Sequence, residues 1–182
     1  VRVGRFVPAF GIHEPHHILS TRHTLGFGFN SERNSVEAHY SGEQWHAATG
    51  ISRSRVDSAL RKKEEAFHVQ IEKFFLDKYR IGVSFWKGSS ERQKRWLASV
   101  HGILGFTERS YLLTETAWQN LESKAQGAGL ETGIFHFSRF GYELIKGLHL
   151  TAMEDLSESN VTQPDSLTFL FGLGPVWYPR PH

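Results

Sequence analysis

Apolar residues along this chain recur at a spacing of two in some stretches and near 3.6 in others, and the two periods divide it into expected strands and helices. Residues 5–10 and 24–29 read as short strands, the second setting Leu25, Phe27 and Phe29 on one face. Residues 35–40 suit another strand or a single helical turn. A helix is expected from Ser41 to Thr49, with Ser41 and Gln44 forming a reciprocal cap and Gly50 ending it. Ser52 caps a second helix running to Lys63, whose Val56 and Leu60 lie one turn apart on the apolar side.

Residues 67–72 and 79–85 alternate around Leu76-Asp77-Lys78 as a hairpin does, while Phe67, Ile71, Phe74 and Phe75 also fit a continuing helix. Further on, the spacing predicts helices over 90–104, 114–121 and 140–155. Residues 106–113 form a strand or hairpin, and 135–137 a short strand. Residues 166–171 are the last expected strand, because the prolines and glycines from Gly172 onward disfavour regular pairing.

This succession predicts an α+β fold, a winged helix-turn-helix-like unit with a flanking small β region and a helical C-terminal half. The matching division is 1–40, β-rich; 41–86, helix-turn-helix with its wing; and 87–182, mainly helical, ending in a strand and a Pro/Gly-rich tail. All three fit within one domain at this length.

Composition narrows the class. The 182 residues are 39% hydrophobic and 22% charged, as in soluble globular proteins. No apolar run approaches the roughly 18 residues of a membrane-spanning helix, and the N-terminus has no cleavable-signal pattern. The expectation is a cytoplasmic chain with no membrane partner. The absence of cysteine removes disulfides, thiolate catalysis and Cys-ligated zinc. With a net charge of only +2, any affinity for nucleic acid must come from local clustering.

Such clustering occurs in the second expected helix. Arg53, Ser54, Arg55, Asp57 and Ser58 crowd its first turns, and Arg61, Lys62 and Lys63 follow. Guanidinium groups there can pair with guanine edges, and lysines farther along with phosphates. Ala48-Thr49-Gly50-Ile51-Ser52, then Val56 and Ala59-Leu60, resemble the helix-turn-helix superfamily in the form found in bacterial regulators and replication initiators. The resemblance covers residues 43–85 only. It departs at His46, where the family usually has a small alanine. It implies a recognition helix over Ser52–Lys63 and a wing on which Lys78 and Arg80 add positive charge.

The expected function is accordingly a DNA-binding protein, a transcriptional regulator or a plasmid or phage replication initiator. Nucleic acid is its partner, DNA before RNA; a homodimer is compatible with it and no cofactor is required. A second reading is a nuclease acting on RNA or DNA by histidine or divalent-metal chemistry. His13, Glu14, His16 and His17 would carry it, since they match H-E-x-x-H in form, although Pro15 breaks the helix that motif needs. A third reading is a phage or plasmid assembly protein with Trp177 and Tyr178 at an interface. Neither a phosphate loop nor a serine nucleophile elbow occurs.

Overall fold

The computed structural model describes residues 1–12, 19–28, 31–54, 63–124, 129–163 and 165–178. Among these, ten strands follow one another: β1 (Arg2–Phe6), β2 (Arg33–Ser41), β3 (Trp45–Arg53), β4 (Glu65–Phe75), β5 (Tyr79–Ser89), β6 (Gln93–Gly105), β7 (Ser110–Ser123), β8 (Leu130–Ile145), β9 (Leu148–Glu158) and β10 (Leu167–Trp177). Each pairs antiparallel with the next, giving one ten-stranded meander in sequence order. Among the described residues β1 and β10 do not pair, so the sheet has two free edges. The helical segment described is the single turn α1 (Ser20–His23).

The strand ends are unequal. At one end the connections are residues 42–44, 76–78, 106–109 and 146–147; at the other they are 7–32, 54–64, 90–92, 124–129 and 159–166. Tight turns thus close one end of the sheet, and mostly longer connections lie at the other.

Alternate residues face opposite ways, and the two faces differ in kind. On the open face the registers set Ile51 beside Phe67, Ile71 beside Val83, and Val83 beside Val100. These side chains stand exposed, Ile51 at 62% and Val83 at 50%. The opposite face carries His68, Gln70, Glu72, Ser84, Arg95, Ser99, His101, Glu115 and Asp155, all buried. Residues 7–12 and 19–28 cover it. Phe10, Leu25 and Phe27 from that segment pack on Ala66, Trp86, Leu97, Ala117 and Phe135, and Ile12 and Leu19 pack on Leu113 and Phe137. A polar sheet face thereby becomes the inside of the molecule, and an apolar face the outside.

This architecture overturns the α+β expectation and the helix-turn-helix resemblance. Residues 45–53, expected to close one helix and open the next, are strand β3. Gly50 is not a turn glycine. It lies in mid-strand between Glu37 and His68, and a Cβ there would stand 2.4 Å from the Val36 carbonyl oxygen and 3.0 Å from His68. It is small because neighbouring strands crowd it. Arg55, Asp57, Ser58, Arg61 and Lys62 lie outside the described residues. The hairpin around Leu76-Asp77-Lys78 is present, but as two sheet strands and not as a wing.

The expected C-terminal helices are also strands: 90–104 falls on β6, 114–121 on β7, and 140–155 on β8 and β9. In β6 the open face holds Trp96, Ala98, Val100 and Leu104, and the covered face Leu97 and Ile103. Apolar residues on both faces hide the period of two and mimic 3.6. Of the expected N-terminal strands, 5–10 is strand only to Phe6, and 24–28 is turn and loop under the sheet. The last strand continues past Gly172 and Gly174 to Trp177; β10 is an edge strand, where Pro175 need not serve two ladders. The divisions at 40/41 and 86/87 fall inside β2 and β5.

Candidate functional site: the covered sheet face and its inserted segment

The covered face is built from single polar residues placed among alternating strands, each meeting the inserted segment. The Glu37 carboxylate (β2) accepts from the Ala9 amide at 3.0 Å and meets His68 Nε2 and His39 Nε2, both at 2.7 Å. Ser84 Oγ (β5) accepts from the Gly11 amide at 2.9 Å, and Gln70 Nε2 (β4) donates to the Gly11 carbonyl at 2.9 Å. Glu115 (β7) accepts from the Ile12 amide at 3.0 Å and faces Arg22 at 3.4 Å. Arg22 in turn donates to the Phe10 carbonyl at 2.8 Å. Asp155 (β9) accepts from the Ser20 amide and hydroxyl at 2.8 and 2.5 Å. Arg95 (β6) donates to the Leu25 carbonyl at 2.8 Å.

The pattern answers a physical need. An irregular segment packed against a sheet has no ladder for its N–H and C=O groups, which must find partners or cost free energy. Here side chains from β2, β4, β5, β6, β7 and β9 supply them. Gly11 has φ +58°, and a Cβ would stand 1.8 Å from Glu115 Oε1, so this residue must be glycine where the carboxylate meets the chain.

A second cluster sits toward the end with longer connections. Arg95 forks onto Glu64 at 2.5 and 3.0 Å, and Arg33 reaches the same carboxylate at 2.8 Å. Both guanidiniums lie over the Trp86 ring, at 4.8 Å for Arg33 and 5.6 Å for Arg95. Trp86 stacks on His68 and meets the edge of Phe27. Toward the tight-turn end, Glu72 faces His101 at 3.1 Å, His46 at 3.4 Å and Arg80 at 3.5 Å.

Of the residues expected to grip DNA, the described ones, Arg53, Ser54, Lys78 and Arg80, do not form one surface. Arg53 ends β3 on the open face, 3.5 Å from Glu65. Ser54 follows it and bonds Glu64 through backbone and hydroxyl. Lys78 lies in the turn at the other end of the sheet, and Arg80 faces inward to Glu72. Nine residue steps along β5 separate Arg80 from the row of Arg53, about 30 Å of strand. His13, Glu14, His16 and His17 lie outside the described residues. Among the described residues no three or more His, Asp or Glu side chains are grouped to hold a metal ion.

The residues that do organise the interior, Glu37, Arg22, Arg95, Glu115 and Asp155, escaped the reading of the sequence. Their signal was faint: Glu37, Arg95, Glu115 and Asp155 are single positions inside long strands, Arg95 and Asp155 with a like charge beside them in sequence, and Arg22 lies in a short helical turn.

No protein-family model and no curated protein matches the sequence. Among solved structures, the chain is similar to OmpT, an outer membrane protein of Vibrio cholerae, in its in-vitro folded form: TM-score 0.59, 17% identity, covering 81% of this chain and 55% of that one. It is similar also to a loop L8 deletion mutant of OmpT, with TM-score 0.58, 16% identity, and 79% and 52% covered. The chain spans about half the length of the structures it matches. The likeness is one of fold.

That likeness, with the all-strand architecture, removes the basis for a DNA-binding regulator or replication initiator, and for nucleic acid as the partner. The nuclease and phage-assembly readings gain no support either. The cytoplasmic expectation rested on the absence of cysteine and of a cleavable-signal pattern, and the membrane-free one on the lack of a long apolar run. No described helix is long and apolar enough to cross a membrane. Strands cross with alternating residues and leave no such run, so that criterion did not bear on this fold.

Proposed function

We propose that this chain forms wall strands of an outer-membrane β-barrel, with the open face against lipid and the covered face lining an interior filled by residues 7–12 and 19–28. The observation that carries the reading is the inverted polarity of the two faces: exposed aliphatic and aromatic side chains outside, buried charges within. In water such a sheet would turn its apolar face inward. In a bilayer the arrangement is the favourable one, since lipid tails accept the apolar face and the polar interior is shielded.

Further support comes from dimensions. A membrane-crossing strand needs about 9–11 residues when tilted, and β2 to β10 each have 9 or more. Aromatic residues border the aliphatic band on the open face: Phe67, Trp96 and Trp118 toward one end, Trp45, Tyr79 and Tyr142 toward the other. Interfacial girdles of this kind mark membrane barrels. The tight turns at one end and longer connections at the other match their periplasmic and outer sides. OmpT is described as an outer membrane protein, and the same setting is proposed here.

The test is depth-resolved. The protein is folded into vesicles containing brominated lipid, using variants that retain only Trp118 or only Trp86. Trp118, 38% exposed on the open face, should be quenched; Trp86, fully buried on the covered face, should not. Unquenched Trp118 in folded, vesicle-bound protein would reject the proposal.

A further inference from the structure

The open face carries a groove of about 1240 Å³ at the end with longer connections, crossing from β1 to β8. Its lining includes Val36, Ile51, Phe67 and Trp96, with Lys87 in the row of Phe67 and Trp96 and, one row nearer the strand ends, Arg53 and Lys94 at the rim. The volume exceeds the roughly 300–1,000 Å³ of sites for drug-sized ligands. Resting on the barrel reading above, we propose that the groove binds a multiply acylated, bis-phosphorylated glycolipid of the leaflet on that side.

Three features carry the inference. First, polarity changes along the strands in the order of a lipid. Along β5 the order from the strand end toward mid-strand is Lys87, Phe85, Val83, and along β6 it is Lys94, Trp96, Val100. A phosphate at the rim sets acyl chains on the aromatic and aliphatic floor.

Second, the cations can be recruited. Lys87 sits between Phe67 and Trp96 in the ladder and has no acidic partner among the described residues. Arg53 and Lys94 are held by Glu65 and Glu122, which also line the groove, at 3.5 and 3.9 Å, with all four side chains well exposed. Such exposed pairs contribute little. A phosphate offers more charge and more acceptor oxygens than either carboxylate.

Third, the cations are spread out. Arg53 on β3 and Lys94 on β6 are three strand spacings apart, about 14 Å at the usual spacing. One phosphate cannot bridge them. Two phosphates on a sugar backbone can, which favours the glycolipid over a glycerophospholipid with a single phosphate.

The experiment measures binding to protein folded in zwitterionic micelles, with three probes: bis-phosphorylated lipid A, its dephosphorylated form, and phosphatidylglycerol. Wild type should prefer the bis-phosphorylated lipid. Lys87→Glu combined with Lys94→Glu should weaken it at least tenfold. Lys73→Glu, on the same face toward the opposite strand end, should leave it unchanged. The proposal is overturned if the double variant binds like wild type, if Lys73→Glu loses as much, or if phosphatidylglycerol or the dephosphorylated form binds as tightly. Folding of each variant is checked by its heat-dependent migration in gels. Vesicle insertion without lipid preference rejects this inference alone, whereas failure to insert rejects the barrel reading.

Discussion

Glu115 shows how much of this interior hangs on single side chains. It is 1% exposed, caps the Ile12 amide, faces Arg22, and fills the space that a Cβ on Gly11 would need. Replacing it by leucine removes the carboxylate facing the buried Arg22 guanidinium, a loss that typically costs about 3–5 kcal/mol. Denaturant unfolding of Glu115→Leu in micelles should show a destabilisation of that order. A change below about 0.5 kcal/mol, the level of an ordinary surface substitution, would mean that Arg22 finds compensation elsewhere. Residue by residue, the sequence named the chemistry but not its place. Gly50 was legible as a glycine the structure needs, yet the need is close strand packing and not a turn.

At the scale of elements, the inserted segment and the sheet depend on each other. The described parts of the segment, residues 7–12 and 19–28, have no sheet ladder of their own, and several of their backbone groups rely on Glu37, Gln70, Ser84, Arg95, Glu115 and Asp155. Replacing Glu37 and Asp155 together by alanine should therefore release the segment before the sheet. Limited proteolysis should cut it near Arg22, now reachable, while the strands from β2 onward stay protected by their ladders. Simultaneous digestion of both would show that segment and sheet unfold as one unit. The β4–β5 hairpin was readable, because Phe67, Val69 and Ile71 alternate with His68, Gln70 and Glu72, polar on one side. β6 was not, and β7 and β8 only in part, through residues 110–113 and 135–137, since each carries apolar residues on both faces and the contrast that reveals a period of two is lost.

For the whole molecule, the decisive quantity is which solvent meets the open face. Val83 lies in the middle of that face, flanked by Ile71 and Val100. In lipid vesicles, Val83→Arg should destabilise the folded protein by about 2–4 kcal/mol, the cost of arginine near a bilayer midplane. A neutral effect in vesicles would place this face in water or against protein. The sequence by itself determined alternation in stretches such as 67–72, turn positions such as Leu76-Asp77-Lys78, and the stock of charged residues, because these depend only on neighbours along the chain. Only the tertiary structure decided that the charged side faces inward, that residues 7–12 and 19–28 lie beneath it, and that Ile51, Phe67 and Val83 face out. A period of two gives two faces without saying which is buried, and here burial follows from contacts between residues as distant as Ile12 and Glu115 or Ser20 and Asp155.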